Sequence, residues 1–150
     1  MKAPLDGVKI IDLTACFTGP SAGPWLADFG AEIIKIEPAQ GSEERRISTS
    51  LYLQNESRSH RIFYRGKKSF IIDINKPEGK EIVCKLIANS DVIMHNFCYG
   101  VMDNLGFDYE TLSKINPHII YVNMSSYGDS GTYNRDFLGY DMFAQGVTRI

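Results

Sequence analysis

DLTACFTGPSAGPWLADFGAEIIKIEP, residues 12–38, decides how the chain folds. It reads as the end of a strand, a loop, a helix and a second strand. Val8 to Leu13 is a short β-branched run suited to a buried strand. Pro20 fits the first turn of the helix, where a missing N–H costs nothing. Trp25, Leu26 and Phe29 give that helix an apolar face, and Gly30 is placed to end it. Ala31 to Ile36 is the second strand, so the unit is βαβ and crosses over right-handed into a parallel sheet. The loop, Phe17 to Gly23, is not a G-x-G-x-x-G. Two readings of its glycines stay open: backbone N–H groups presented to an anion at a helix N-terminus, or a tight turn and close helix–sheet packing.

Outward from this unit the alternation continues. Ser69–Ile74 reads as a third strand, and Pro77 opens a helix with Asn75 or Lys76 near its cap. Ile82, Val83, Leu86 and Ile87 share one face of it. Val92–Met94 is a fourth strand. Two short helices broken at Gly106 follow, and His118–Met124 is a fifth strand. Residues 38–61 are polar and turn-rich, with at most a short helix around Ser50–Leu53. The expected fold is α/β, a Rossmann-like doubly wound parallel sheet.

The chain has 150 residues, 43% of them hydrophobic, which is enough to bury one core. Its net charge of −2 gives no field favouring nucleic acid or membrane surfaces. No apolar run has the length of a signal peptide core or a membrane span. The cysteines (Cys16, Cys84, Cys98) are odd in number and fit no metal spacing, so reduced thiols in a cytoplasmic protein are expected. The last residues, GYDMFAQGVTRI, are apolar and helix-like, and suggest a chain that continues.

Most catalytic templates are absent: no G-x-S-x-G, no Walker lysine, no H-E-x-x-H. His60, His95 and His118 are scattered, and no metal is expected. Cys16 stands in the first loop but reads better as a small packed thiol than as a nucleophile. Asp12 and Asp73 are explained by strand-end capping or turns, and Asp141 by the start of a helix. Arg58, His60, Arg61, Arg65, Lys67 and Lys68 form a run without acids, read as a solvated face or as a phosphate clamp. Phe63 and Tyr64 beside it suit edge-strand packing.

The ordered set PLDGVKIIDLT (4–14), GPSAGPWLADFGAEIIKIEP (19–38), RGKKSFIIDINKPEGKE (65–81), HNFCYGVMDNLGFDYETLSKINPHIIYVNMSSYG (95–128) and GYDMFAQG (139–146) resembles the class III coenzyme A transferases. The resemblance runs from Pro4 to Gln145. It implies an enzyme that moves CoA between carboxylic acids through an aspartyl-CoA thioester, with acyl-CoA and a carboxylic acid as substrates. It implies an interlocked homodimer for the full-length form. Residues 1–150 would be the CoA-binding portion, with the rest of the large domain and the small domain lying outside them. Carried over position by position, the cofactor-binding residues implied are Phe17, Thr18, Ile72, Asp73, Asn75, Asn96, Phe97 and Tyr140. The nucleophilic aspartate falls beyond Ile150, so no catalytic residue is expected within this chain.

Departures from the family pattern bear on the phosphates of CoA. Pro38 and Asn104 stand where relatives often carry basic residues, and YRGKKS stands where many have N-R-N-K-R-S. Two other readings remain beside the resemblance. One is a dinucleotide-binding oxidoreductase domain with Glu37 holding a ribose. The other is a truncated, non-catalytic CoA-binding or interaction module.

Overall fold

A computed structural model describes residues 2–46, 49–50, 56–128, 139 and 145–146. Strands β1 (Lys9–Asp12), β2 (Glu32–Glu37), β5 (Lys67–Ile71), β6 (Val92–His95) and β7 (Ile120–Asn123) form one sheet in the order β5-β2-β1-β6-β7. Every neighbouring pair in it is parallel. A two-residue hairpin, β3 (Thr49–Ser50) with β4 (Glu56–Ser57), stands apart. The chain starts in the middle of the sheet, winds to one edge, returns and winds to the other. This is the doubly wound α/β fold that the alternating pattern predicts.

Helices cover both faces. On one, Ile10, Ile33 and Met94 pack with Ala22, Leu26 and Ala27 of α1 (Thr18–Asp28). On the other, Ile11, Ile36 and Ile93 pack with Val83 and Ile87 of α3 (Pro77–Ile87), Met102 of α4 (Val101–Leu105) and Leu112 of α5 (Tyr109–Ile115). Burial on both faces explains why β1 and β6 read as continuous apolar runs. Gly30 ends α1 at φ +100°, a left-handed position where a side chain would be strained. Lys76 is the N-cap of α3 with Pro77 at its first position, as expected. Asp108 caps α5 by accepting from the Thr111 N–H at 2.8 Å.

Three expectations change. The third strand lies at 67–71, starting two residues and ending three residues earlier than read, since its ladder with β2 runs from Lys67 to Ile71. Residues 58–63, seen only as charge, form α2 (Arg58–Phe63), with the Ser57 side chain accepting from the His60 N–H at 3.2 Å. Phe63 therefore packs from a helix rather than an edge strand, meeting Phe17 edge-on at 5.5 Å between ring centroids. Ser50 is in β3, and the remainder of the helix expected around 50–53 lies outside the described residues.

Candidate functional site

The topological switch point lies between β1 and β6, where the winding reverses direction. Loops leaving the carboxyl ends of these two strands diverge there, and open sheets bind ligands in that crevice. Two cavities flank it. One, of about 390 Å³, has apolar walls from Leu13, Ile36, Ile72 and Ile74. The other, of about 600 Å³, lies between the loops after β1, β6 and β7. Ala15 and Phe97 line both. The two openings therefore meet along the first strand's exit loop.

Asn96 explains how that junction is held. Its side-chain carbonyl accepts from the Ala15 N–H at 2.7 Å, and its amide donates to the Ala15 carbonyl at 2.7 Å. This two-point bond ties the β6 exit to the β1 exit across the switch point. Ile72, Asp73 and Asn75 border the smaller cavity, and Thr18 and Asn96 the larger. Asp73 closes its own turn, accepting from the Asn75 N–H at 3.0 Å, a bond that holds its carboxyl below the usual range. Phe17 is half exposed against Phe63 and borders neither cavity. Tyr140 and Asp141 lie outside the described residues.

Beneath the loop lies a buried ionic group that the sequence reading missed. Asp12 takes the Thr14 N–H at 2.8 Å and the Thr14 hydroxyl at 2.6 Å on Oδ1, and Lys67 Nζ at 2.7 Å on Oδ2. Lys35 Nζ stands 3.5 Å from Oδ1 and donates to the Thr14 carbonyl. Lys67 also donates to the Pro20 carbonyl at 3.0 Å, so it reaches from β5 into the first turn of α1. Burial pushes the Lys35 ammonium down, opposed by the Asp12 and Glu44 carboxylates. Tyr64 lies under both lysines, its centroid 5.3 Å from Lys67 Nζ, and donates to Glu44 at 2.9 Å. Burial drives its phenol pKa well up.

This group gives the glycines of the loop a packing role. A Cβ on Gly19 would stand 2.4 Å from Thr14 Cβ, and one on Gly23 would stand 2.1 Å from Lys67 Cε. Both glycines let α1 close over the ionic group, which is the packing reading. Cys16 is half-buried at the edge of the larger cavity, and burial first, then Glu44 and Glu43, pushes its thiol pKa up. A raised pKa is the reverse of what a nucleophile needs.

Glu37, the ribose candidate of the oxidoreductase reading, is fully committed. It is buried, and its carboxylate accepts from Arg45 twice at 2.7 Å, from the Ser69 hydroxyl at 2.7 Å and from the Ser42 N–H at 3.1 Å. Burial alone would raise its pKa, but these donors outweigh that and pull it to about 2. The pair fixes the wall of the smaller cavity. No described residue of the basic run lines this cavity, and three of its members pair elsewhere: Arg65 with Asp28, Lys68 with Glu32 and Lys67 with Asp12. Among the described residues, the cations bordering the smaller cavity are instead Lys35 and Arg46.

Comparison with known proteins gives a consistent result. Residues 5–149 match the family model described as CoA-transferase family III. The succinate–glutarate CoA-transferase of Agrobacterium fabrum is 36% identical over 153 residues, covering 98% of this chain and 38% of that protein. The acetyl-CoA:oxalate CoA-transferase of Acetobacter aceti is 36% identical over 149 residues, covering 99% of this chain and 38% of that protein. Among solved structures, a CAIB/BAIF family protein from Brucella suis superposes with a TM-score of 0.89 at 35% identity, over 98% of this chain and 39% of that one. The chain thus spans less than two-fifths of the length of these relatives.

Proposed function

The chain belongs to CoA-transferase family III, and from that premise we propose that residues 1–150 are the coenzyme-holding portion of an enzyme that moves CoA between carboxylic acids. The observation that carries this reading is the pair of cavities meeting at Ala15 and Phe97 on the switch point. Together they suit a ligand with an aromatic head and a long polyamide arm. The smaller cavity has apolar walls and the Phe97 ring for a base, and lies in the size range of small-molecule sites, roughly 300–1,000 Å³. The larger runs past Thr18 and Asn96 between the exit loops, where backbone groups can meet the amides of the arm. Arg46, at the rim, is a cation for the phosphates.

In this proposal an aspartate beyond Ile150 is the nucleophile, and the acyl-CoA and the acceptor acid meet there. Its carboxylate attacks the thioester carbonyl and the C–S bond breaks, giving a mixed anhydride and a CoA thiolate. The thiolate attacks the aspartyl carbonyl, the donor acid leaves as carboxylate, and an aspartyl-CoA thioester remains. The acceptor carboxylate reverses both steps. Within the chain itself, Asn96 sets the position of Ala15, Phe97 sets the boundary between base and arm, and the Glu37–Arg45 pair keeps the wall in place.

The test is calorimetric titration of the chain with CoA, dephospho-CoA and NADH. Binding of CoA that weakens without the 3′-phosphate, and that falls about tenfold in Phe97→Ala, is the expected result. Binding of NADH without CoA would overturn the proposal.

A further inference from the structure

One buried acceptor, on a residue that lines the smaller cavity, has no partner among the described residues. Glu44 is 0% exposed, its Oε2 is held by Tyr64, and its Oε1 has no hydrogen-bond partner among the described residues. Buried polar oxygens are nearly always paired, and an unpaired buried carboxylate oxygen is costly. Glu44 lines the cavity, so a donor placed there would satisfy it.

The rest of the cavity narrows what that donor is. Among the described residues the lining holds Glu37, Glu43, Glu44 and Asp73 against Lys35 and Arg46, so carboxylates exceed cations around the opening. Lys35 is already committed to Asp12 and Thr14, and Arg45 neutralises Glu37 from outside the cavity lining. Such a site disfavours phosphate and favours an uncharged group that donates hydrogen bonds. The walls from Leu13, Ile36, Ile72, Ile74 and Phe97 ask for a flat apolar body. A purine with an exocyclic amine combines both properties.

We infer that Glu44 is a specificity-determining residue whose Oε1 accepts a hydrogen bond from the exocyclic amine of a purine seated in this cavity. The inference rests on the reading that the chain binds CoA, whose base is adenine. Tyr64 acts behind it as a positioning residue, since its hydroxyl fixes the other carboxylate oxygen. The phosphates then leave the cavity toward Arg46 rather than entering it.

The experiment compares CoA with an analogue in which the 6-amino group is replaced by hydrogen, by calorimetry on the unmodified chain and on Glu44→Gln. A hydrogen bond to a charged acceptor corresponds to a roughly 10- to 100-fold preference for CoA in the unmodified chain. In Glu44→Gln the acceptor is neutral, and the preference should fall to a few-fold while the melting curve stays cooperative. Equal affinity for the two ligands in the unmodified chain overturns the inference without any variant. An unchanged preference in Glu44→Gln overturns it as well. These outcomes leave CoA binding intact and so spare the functional proposal, whereas no CoA binding at all overturns both.

Discussion

On β5 the side chain of Lys67 is 1% exposed and donates to Asp12 at 2.7 Å, whereas that of Lys68 is 71% exposed and donates to Glu32 at 2.6 Å. Distances and partner types are nearly the same, and the surroundings are not. Strand alternation sends Lys67 under α1, into contact with the Pro20 carbonyl, and Lys68 to solvent. The first has lost its water and depends on its partner. The second keeps its water with or without Glu32. A short N–O distance therefore says little about stability until burial is known.

The largest expected effect lies in the buried member of the comparison. Asp12→Asn keeps shape and volume but leaves Lys35 and Lys67 without their shared carboxylate. Removing one partner of a buried ionic group costs about 3–5 kcal/mol, to be read from urea unfolding. Lys67→Met, which keeps the apolar stem and leaves Asp12 with Lys35, should cost less. The double variant should recover part of the loss, because one of the two orphaned cations, Lys67, is then gone while Lys35 remains. If the single Asp12→Asn unfolds like the unmodified chain, burial does not separate the two lysines and the comparison fails.

Glu37 and Arg45 stand between the extremes: the carboxylate is buried, the guanidinium partly exposed. Its folded pKa, about 2, lies below the unfolded value of 4.5, so the ionised form is favoured by folding. That stability is fully present above about pH 4.5 and is lost as pH falls toward 2. The difference corresponds to roughly 3 kcal/mol. Unfolding by urea between pH 6 and pH 2.5 should show the decline, and Glu37→Gln should flatten it. A slope unaffected by Glu37→Gln would assign the acid sensitivity to other carboxylates.

Gly19 tests the same buried group from the backbone side. Its missing Cβ would fall 2.4 Å from Thr14 Cβ, and Thr14 is pinned by its 2.6 Å bond to Asp12. Gly19→Ala must therefore move α1 or break that bond, at a cost of about 1–3 kcal/mol. In an Asp12→Asn background the same substitution should cost less, because Thr14 is then held more weakly. Equal cost in both backgrounds would make Gly19 a matter of helix packing alone.

The sheet was readable because its signals are local: β-branched runs, Pro77 at a helix start, glycines at 30 and 106. The ionic group was not, because Asp12 meets partners far along the chain, and each residue alone has a bland explanation. One signal was available. Lys35 sits in the middle of EIIKIE, a strand buried on both faces, and a lysine there needs a buried acid. α2 was hidden by its length and charge, with Ser57 as its one local marker. The implied site residues divide for a similar reason. Of the implied positions Thr18, Ile72, Asp73, Asn75, Asn96 and Phe97 border a cavity and Phe17 does not, and nothing local in the sequence marked that Asn96 spends its amide on Ala15.

The smallest effect belongs to Lys68. Both it and Glu32 are open to water, and the Lys68 hydrogen bond lowers the Glu32 pKa without any burial to amplify it. Lys68→Ala should leave the urea midpoint unresolved from that of the unmodified chain, at low salt and at high salt alike. Lys67→Met, on the adjoining residue, should differ clearly under both conditions, since a buried pair is poorly screened. A resolvable loss in Lys68→Ala that disappears with salt would show that this pair contributes through charge alone. A loss that persists in salt would mean that the Lys68 stem packs on the exposed edge of β5, and that the contrast between the two lysines is one of degree.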